Sequence, residues 1–274
     1  MKKQLSLFAL VCLLCVSFSF AQTREIRNVS TFTKIAFRVP GKLYLRQGAV
    51  QKVEIEGKKD VLKEIETEVS GGKLVVGKEG SWSNWSWGDN DDDAVNVYIT
   101  VKDIEALSVS GSGDLIGETK FTTGDLDLNV SGSGSLKIEV DASGDLEADV
   151  SGSGDIDLKG KCKSFNSDVS GSGKVMMSVS VSEKADFGVS GSGRIMASGS
   201  AEKVKASISG SGKVLASDLV TNSCEVRISG SGDVEINVKT ELDANISGSG
   251  TVSYKGNPSK VNSHSSGSGK VSKM

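Results

Sequence analysis

Val150-Ser151-Gly152-Ser153-Gly154-Asp155-Ile156-Asp157-Leu158 is the stretch on which the fold turns. Its Ser-Gly-Ser-Gly core occurs nine times, beginning at Ser110, Ser131, Ser151, Ser170, Ser190, Ser209, Ser229, Ser247 and Ser266. Successive copies lie 21, 20, 19, 20, 19, 20, 18 and 19 residues apart. Val or Ile precedes every copy except the last, where Ser265 stands, and Leu, Ile or Val follows two residues after each. A repeat this regular is the signature of a quasi-one-dimensional array whose units stack on one another.

Between the copies, apolar and polar residues alternate. Leu136, Ile138 and Val140 face one way and Lys137 and Glu139 the other, as do Leu146, Ala148 and Val150 against Glu147 and Asp149. That period of two belongs to strands with one buried face. Carried through the repeat, the parity turns Gly152, Gly154, Ile156 and Leu158 inward with Val150, and Ser151, Ser153 and Asp155 outward. A bend that faces the core leaves no room for a Cβ, so the corner pairs are expected to be steric: Gly111 and Gly113, Gly132 and Gly134, Gly152 and Gly154, Gly171 and Gly173. The same holds for Gly191 and Gly193, Gly210 and Gly212, Gly230 and Gly232, and Gly248 and Gly250. Outward serines are expected to stack as hydroxyl ladders. A coil of 19 or 20 residues then holds two or three short strands, each pairing in parallel with its equivalent in the next coil. The fold expected is an all-β, right-handed parallel β-helix of about nine such coils over 106–274. Residues 22–105 are expected to form a β cap and the first irregular coils. There Asp60–Glu64 suggests one helical turn, and Val69-Ser70-Gly71-Gly72-Lys73-Leu74 reads as a degenerate corner.

Composition agrees with a narrow core. Gly is 33 of 274 residues, Pro only 2 and aromatics 5%. Lys2 and Lys3, the apolar run Leu5–Phe20 and Ser19-Phe20-Ala21 read as a signal peptide over 1–21, cleaved after Ala21. The chain is therefore expected in the periplasm, at the outer-membrane surface or outside the cell, without a transmembrane segment. Formal charge is −3, or −5 without the two lysines, which argues against nucleic acid as a partner and against a strongly basic membrane-binding face. Cys162 and Cys224 fall about three coils apart, roughly 14 Å at the spacing of stacked strands, beyond the reach of a disulfide.

The residues at 32–74 and the serial corners resemble the auto-transporter adhesin head GIN domain family. The resemblance rests on Phe32-x-x-Ile35, on Val53-Glu54-Ile55-Glu56-Gly57, on the turn between Ile65 and Leu74, and on the repeated Val-Ser-Gly-Ser-Gly-x-Leu/Val. It implies a right-handed parallel β-helix at the cell surface or in the periplasm. No barrel-forming segment like that of an auto-transporter follows within these residues.

Reactive groups are sparse. His264 is the only histidine, and Ser-Gly-Ser-Gly does not match the Gly-x-Ser-x-Gly of a nucleophile elbow. The glycines lack the spacing of a dinucleotide loop. No enzyme, cofactor or metal is expected. Two places could bind a ligand. One is the stretch carrying Trp82, Trp85 and Trp87 beside Asp89, Asp91, Asp92 and Asp93, suited to stacking on sugar rings or to Ca²⁺, or else a plain acidic insertion. The other is an outward column in which Lys174, Arg194 and Lys213 fall on consecutive coils, a basic stripe that suits an anionic glycan or an ordinary solvated face. The reading is a non-catalytic, adhesin-like solenoid with a cell-surface glycan or an envelope protein as partner, monomeric or associated end to end. A glycan-active lyase or hydrolase, or a purely structural envelope component, are the alternatives.

Overall fold

A computed structural model describes residues 23–77 and 95–274. Residues 1–21, expected to be a signal peptide, and the Trp/Asp stretch lie outside the described residues. The chain is 75% strand and forms a parallel β-solenoid of about eight turns. In chain order the first elements are β1 (Thr23–Ile26), β2 (Lys34–Phe37), β3 (Gly41–Gln47), β4 (Lys52–Gly57), helix α1 (Lys59–Glu64), β5 (Glu66–Ser70), β6 (Lys73–Gly77) and β7 (Val95–Val101). The regular coils follow as β8 (Ala106–Gly111), β9 (Asp114–Thr123), β10 (Leu126–Gly132), β11 (Ser135–Ala142), β12 (Asp145–Gly152), β13 (Asp155–Cys162), β14 (Ser164–Gly171), β15 (Lys174–Val181) and β16 (Lys184–Gly191). Then come β17 (Arg194–Gly210), β18 (Lys213–Gly230), β19 (Asp233–Gly248), β20 (Thr251–Lys255), β21 (Lys260–Gly267) and β22 (Lys270–Lys273).

Each coil holds two strands, and the Ser-Gly-Ser-Gly corner joins them. Strands that end in a corner form face A: β8, β10, β12, β14, β16, the second halves of β17, β18 and β19, and β21. Strands that begin after a corner form face B: β9, β11, β13, β15, the first halves of β17, β18 and β19, then β20 and β22. Register is in phase along face A, so Val130, Val150, Val169 and Val189 stack as one buried column, whereas face B has register shifts after Lys137, Met196 and Ala216. The core between the faces is narrow, and its bulkiest members are Phe37, Phe121, Phe165 and Phe187. Phe165 and Phe187 meet edge to face at 6.2 Å. Ser167 and Thr221 are the buried polar residues among those described. Ser167 donates to the Ala148 carbonyl at 2.7 Å and Thr221 to that of Glu202 at 3.1 Å, so neither is left unpaired.

The corners differ from the sequence reading in two respects. Gly152 has φ +118° and is half-exposed rather than buried in the core, and the other first glycines share its left-handed backbone. A Cβ there would lie 2.7 Å from the carbonyl oxygen of Gly132, in the coil before. The obstacle is therefore the neighbouring backbone and not the core. Gly154 is buried with an ordinary φ, and a Cβ on it would meet Val130 Cγ1 and the Gly134 carbonyl, both at 2.5 Å. Nor do the corner hydroxyls form hydrogen-bonded ladders. Backbone does that work: the Ser153 N–H donates to the Gly132 carbonyl at 2.8 Å, and the Ser172 N–H to that of Gly152 at 2.9 Å.

The N-terminal levels are out of chain order. β2 lies between β6 and β8, and β3 between β7 and β9, so the first coil in sequence is the second in space. The outermost coil is finished by antiparallel strands: β5 on β6, and β4 on β7 with β1 beyond it. These end the parallel stack and cover its edge. The segment at 69–74 is consequently a hairpin, with Ser70 opposite Lys73, and not a corner. Gly71 and Gly72 both have positive φ, as a tight two-residue hairpin turn requires. Helix α1 buries Leu62, and Arg27 donates to the Leu62 carbonyl at 2.7 Å, where no helical partner exists.

Substitution at the corner separates the two glycine roles. Gly171→Val, facing the Gly152 carbonyl at 2.5 Å with φ +117°, combines overpacking with backbone strain and is expected to cost at least about 2 kcal/mol or to prevent folding. Gly173→Ala is expected to destabilise through packing alone, against Val150 Cγ1 at 2.5 Å. Gly124→Ala, where nothing lies within 4 Å, should be close to neutral. Urea unfolding of the three variants checks this order.

Candidate functional site

Outward side chains stack in columns because each coil repeats the register of the last. On face A one column runs Asp149, Asp168, Gly188, Ser207, Arg227, Asn245, His264. A second is made of corner serines: Ser190, Ser209, Ser229, Ser247, Ser266. Between and over these small residues runs an open groove of about 550 Å³, with Asp168 toward one end and His264 toward the other. Gly188 makes room for the Asp168 side chain, whose carboxylate fills the space that a side chain at 188 would occupy.

Spacing decides what the groove can do. Asp168 and Arg227 are three coils apart and Arg227 and His264 two, so these groups stand roughly 14 Å and 10 Å from one another. General acid–base work needs groups within hydrogen-bond reach of one reacting atom. These residues form a row instead. Arg227 is also held by Glu225 at 2.5 Å. Among the described residues no group of three or more His, Cys, Asp or Glu is placed to hold a metal ion.

At the groove's acidic end the ladder between β12 and β14 is interrupted. Asp149 accepts the Asp168 N–H at 3.0 Å in place of a carbonyl. Burial pushes the Asp149 carboxyl above the usual carboxylate range; the Asp168 N–H opposes the shift, and the charges of Glu147 and Asp168 add to it.

Lys174, Arg194 and Lys213 do lie side by side on face B. The stripe is bounded by acid: Lys174 pairs with Asp155 at 3.1 Å and Lys213 with Asp233 at 2.7 Å. Arg194, exposed between them, has no ion-pair partner among the described residues. A feature missed in the sequence stands in the next column, where Met176, Met196 and Leu215 also point outward in register. The alternation marks these positions as outward, so the signal was present. Trp82, Trp85, Trp87, Asp89, Asp91, Asp92 and Asp93 lie outside the described residues. The strands that bracket them are β6 and β7, which in every later coil would be joined by a corner.

Cys162 and Cys224 are free and buried. Burial raises both thiols to about 12, with Asp145 and Glu225 respectively contributing, so neither is a nucleophile near neutral pH.

The two-faced solenoid with ordered outward columns defines a repeat scaffold. The chain belongs to the family described as "Putative auto-transporter adhesin, head GIN domain", whose model matches residues 31–194 and 179–258. Solved structures share the fold. A protein from Parabacteroides distasonis described as a "putative lipid binding protein" is 21% identical, with 93% of this chain and 98% of that one covered and a TM-score of 0.67. A "putative adhesin" from the same organism is 20% identical over 93% and 98%, with a TM-score of 0.69. Another, from Parabacteroides merdae, is 20% identical over 93% and 97%, with a TM-score of 0.64. None of the curated proteins matches the chain.

Two titrations follow from these environments. Both thiols should resist a thiol reagent in the native protein at pH 8 and react fully in denaturant. Because the folded state raises the Asp149 pKa, ionising it costs stability as pH rises from its unfolded value through its folded one. Asp149→Asn keeps an acceptor oxygen for the Asp168 N–H. Its melting temperature should therefore exceed that of the unchanged chain at pH 7, and thermal melts should show the difference shrinking toward pH 4.

Proposed function

We propose that this chain is an exported, non-catalytic, adhesin-like protein that holds an extended cell-surface glycan along face A. One observation carries the reading: the groove of about 550 Å³ runs across the coils beside a row of corner serines whose hydroxyls bond to no other protein group among the described residues. A row of free hydroxyls repeating every coil, about 4.8 Å apart, offers donors and acceptors at regular intervals to a chain of linked sugars laid along the solenoid axis. The Cα and Cβ surface of Gly188 and the serines supplies the apolar floor on which such rings rest. Asp168, Arg227, Asn245 and His264 add polar contacts along one side.

The wide spacing of the ionisable Asp168, Arg227 and His264 favours binding over turnover. Family membership supports an adhesin role at the surface, and the basic, apolar and small-residue pattern of 1–21 supports export. Trp82, Trp85 and Trp87 form a second candidate contact at the β6–β7 junction.

A glycan array with the purified protein tests the reading, followed by affinity measurement for the best ligand. Ser209→Leu, an exposed change that fills the groove, is expected to weaken binding at least tenfold and leave melting unchanged. Ligand binding that ignores Ser209→Leu but is lost when the three tryptophans become Ala moves the site to that junction. An array without any bound glycan overturns the proposal.

A further inference from the structure

Face B carries a panel that the glycan reading leaves unused. Across three consecutive coils the outward residues are Lys174, Met176, Ser178 and Ser180, then Arg194, Met196, Ser198 and Ser200, then Lys213, Leu215 and Ser217. In register these make bands parallel to the solenoid axis: a cationic band and an apolar band across all three coils, and beyond them a hydroxyl band over the first two, with a register shift in the third coil setting Asp218 opposite Ser198. Met196 is 39% exposed, one of few large apolar side chains in the described residues to be so. Side chains at such positions in the other regular coils are mostly charged or small: Lys137 and Asp157 on one flank, Glu235 and Ser253 on the other.

From this arrangement we infer that the panel docks the protein on an anionic lipid surface. Three features select that occupant. The cations and the apolar side chains stand side by side on one sheet face, so a partner must offer negative charge and hydrocarbon at the same level, as the boundary between headgroups and acyl chains does. Methionine is flexible and polarisable and suits a partner without fixed shape. A second copy docked about a two-fold axis that runs along the strand through Met196 is disfavoured by charge, since it would set Arg194 near its own equivalent and Lys174 near Lys213. The ion pairs of Lys174 and Lys213 do not block the contact. Their lysine and aspartate side chains are between 33% and 45% exposed, and pairs of that kind are weak and readily exchanged. Arg194 needs no exchange at all.

The inference does not depend on the groove of face A, which lies on the other sheet. If both hold, the solenoid lies with face B on the membrane and face A turned outward.

Co-flotation of the exported protein with vesicles tests it, using phosphatidylcholine alone and phosphatidylcholine with 30% phosphatidylglycerol as the two arms, the lipid fraction being roughly that of an acidic bilayer surface. Binding is expected in the acidic arm only, weakening as salt is raised. Arg194→Ala should lower it about fivefold, the worth of one cation near such a surface. Met196→Asp should lower it further, and Ser209→Leu on face A should leave it unchanged. Unaltered melting of the exposed-site variants keeps the comparison valid. Equal binding to both vesicles, or binding unaffected by Arg194→Ala and Met196→Asp, overturns the inference. So does retention on an anionic polysaccharide without flotation, or a concentration-dependent dimer abolished by Met196→Asp.

Discussion

Everything in this molecule depends on one backbone contact, the carbonyl of the first corner glycine aimed along the solenoid axis at the next coil. The Gly132 oxygen accepts the Ser153 N–H at 2.8 Å and passes 2.7 Å from where a Cβ on Gly152 would lie. The hydrogen bond and the missing side chain are two aspects of one close approach. Coils cannot stack at strand spacing through a bend unless that carbonyl has room, and the left-handed φ that aims it is open to glycine at little cost. The same bond recurs from the Ser133 N–H on Gly111 to the Ser249 N–H on Gly230, and the close approach of the preceding carbonyl continues to Gly267.

From that contact the rest follows by register. Corners that stack in phase hold Val130, Val150, Val169 and Val189 in one buried column, and the outward residues in equally straight ones. A functional surface on such a scaffold is written in columns, not in loops. The groove of face A and the banded panel of face B each come from a few residues in register on neighbouring coils. Gly188 admits the Asp168 carboxylate to the edge of the first, where the column would otherwise carry a side chain. Met176, Met196 and Leu215 create the second, where flanking coils place charge.

Much of this was legible in the sequence because the repeat has a fixed period and the alternation has a fixed parity. Strand faces, corner positions, the unbridged cysteines and the stacking of Lys174 on Arg194 all follow from counting. What escaped has physical reasons. Parity assumes an extended backbone at every residue, and a positive φ at Gly152 breaks it, turning the first glycine out of the core. The 69–74 segment shares glycine and flanking valine with a corner, yet β5 and β6 pair antiparallel there, and among the described residues no coil lies outside them to receive a parallel strand. The exchange of levels that sets β2 between β6 and β8 leaves no mark in local pattern, since every strand in the stack has the same inward face.

The exchange of levels also explains how a parallel stack can have a defined first coil. A strand laid down first in sequence at the outermost level would leave its parallel edge bare while the chain moved on. Here β2 and β3 become an inner level, flanked on both sides by later strands, and the outer level is built by β6 and β7 only after β4 and β5 exist to finish it. Antiparallel pairing at that edge differs in bond pattern from the parallel ladder below, so it offers no matching template for another parallel coil. The glycine corner propagates the fold, and the crossed N-terminal levels give it an end. A scaffold bounded in this way can carry long, regular faces at a surface without extending them into an open-ended assembly from that side.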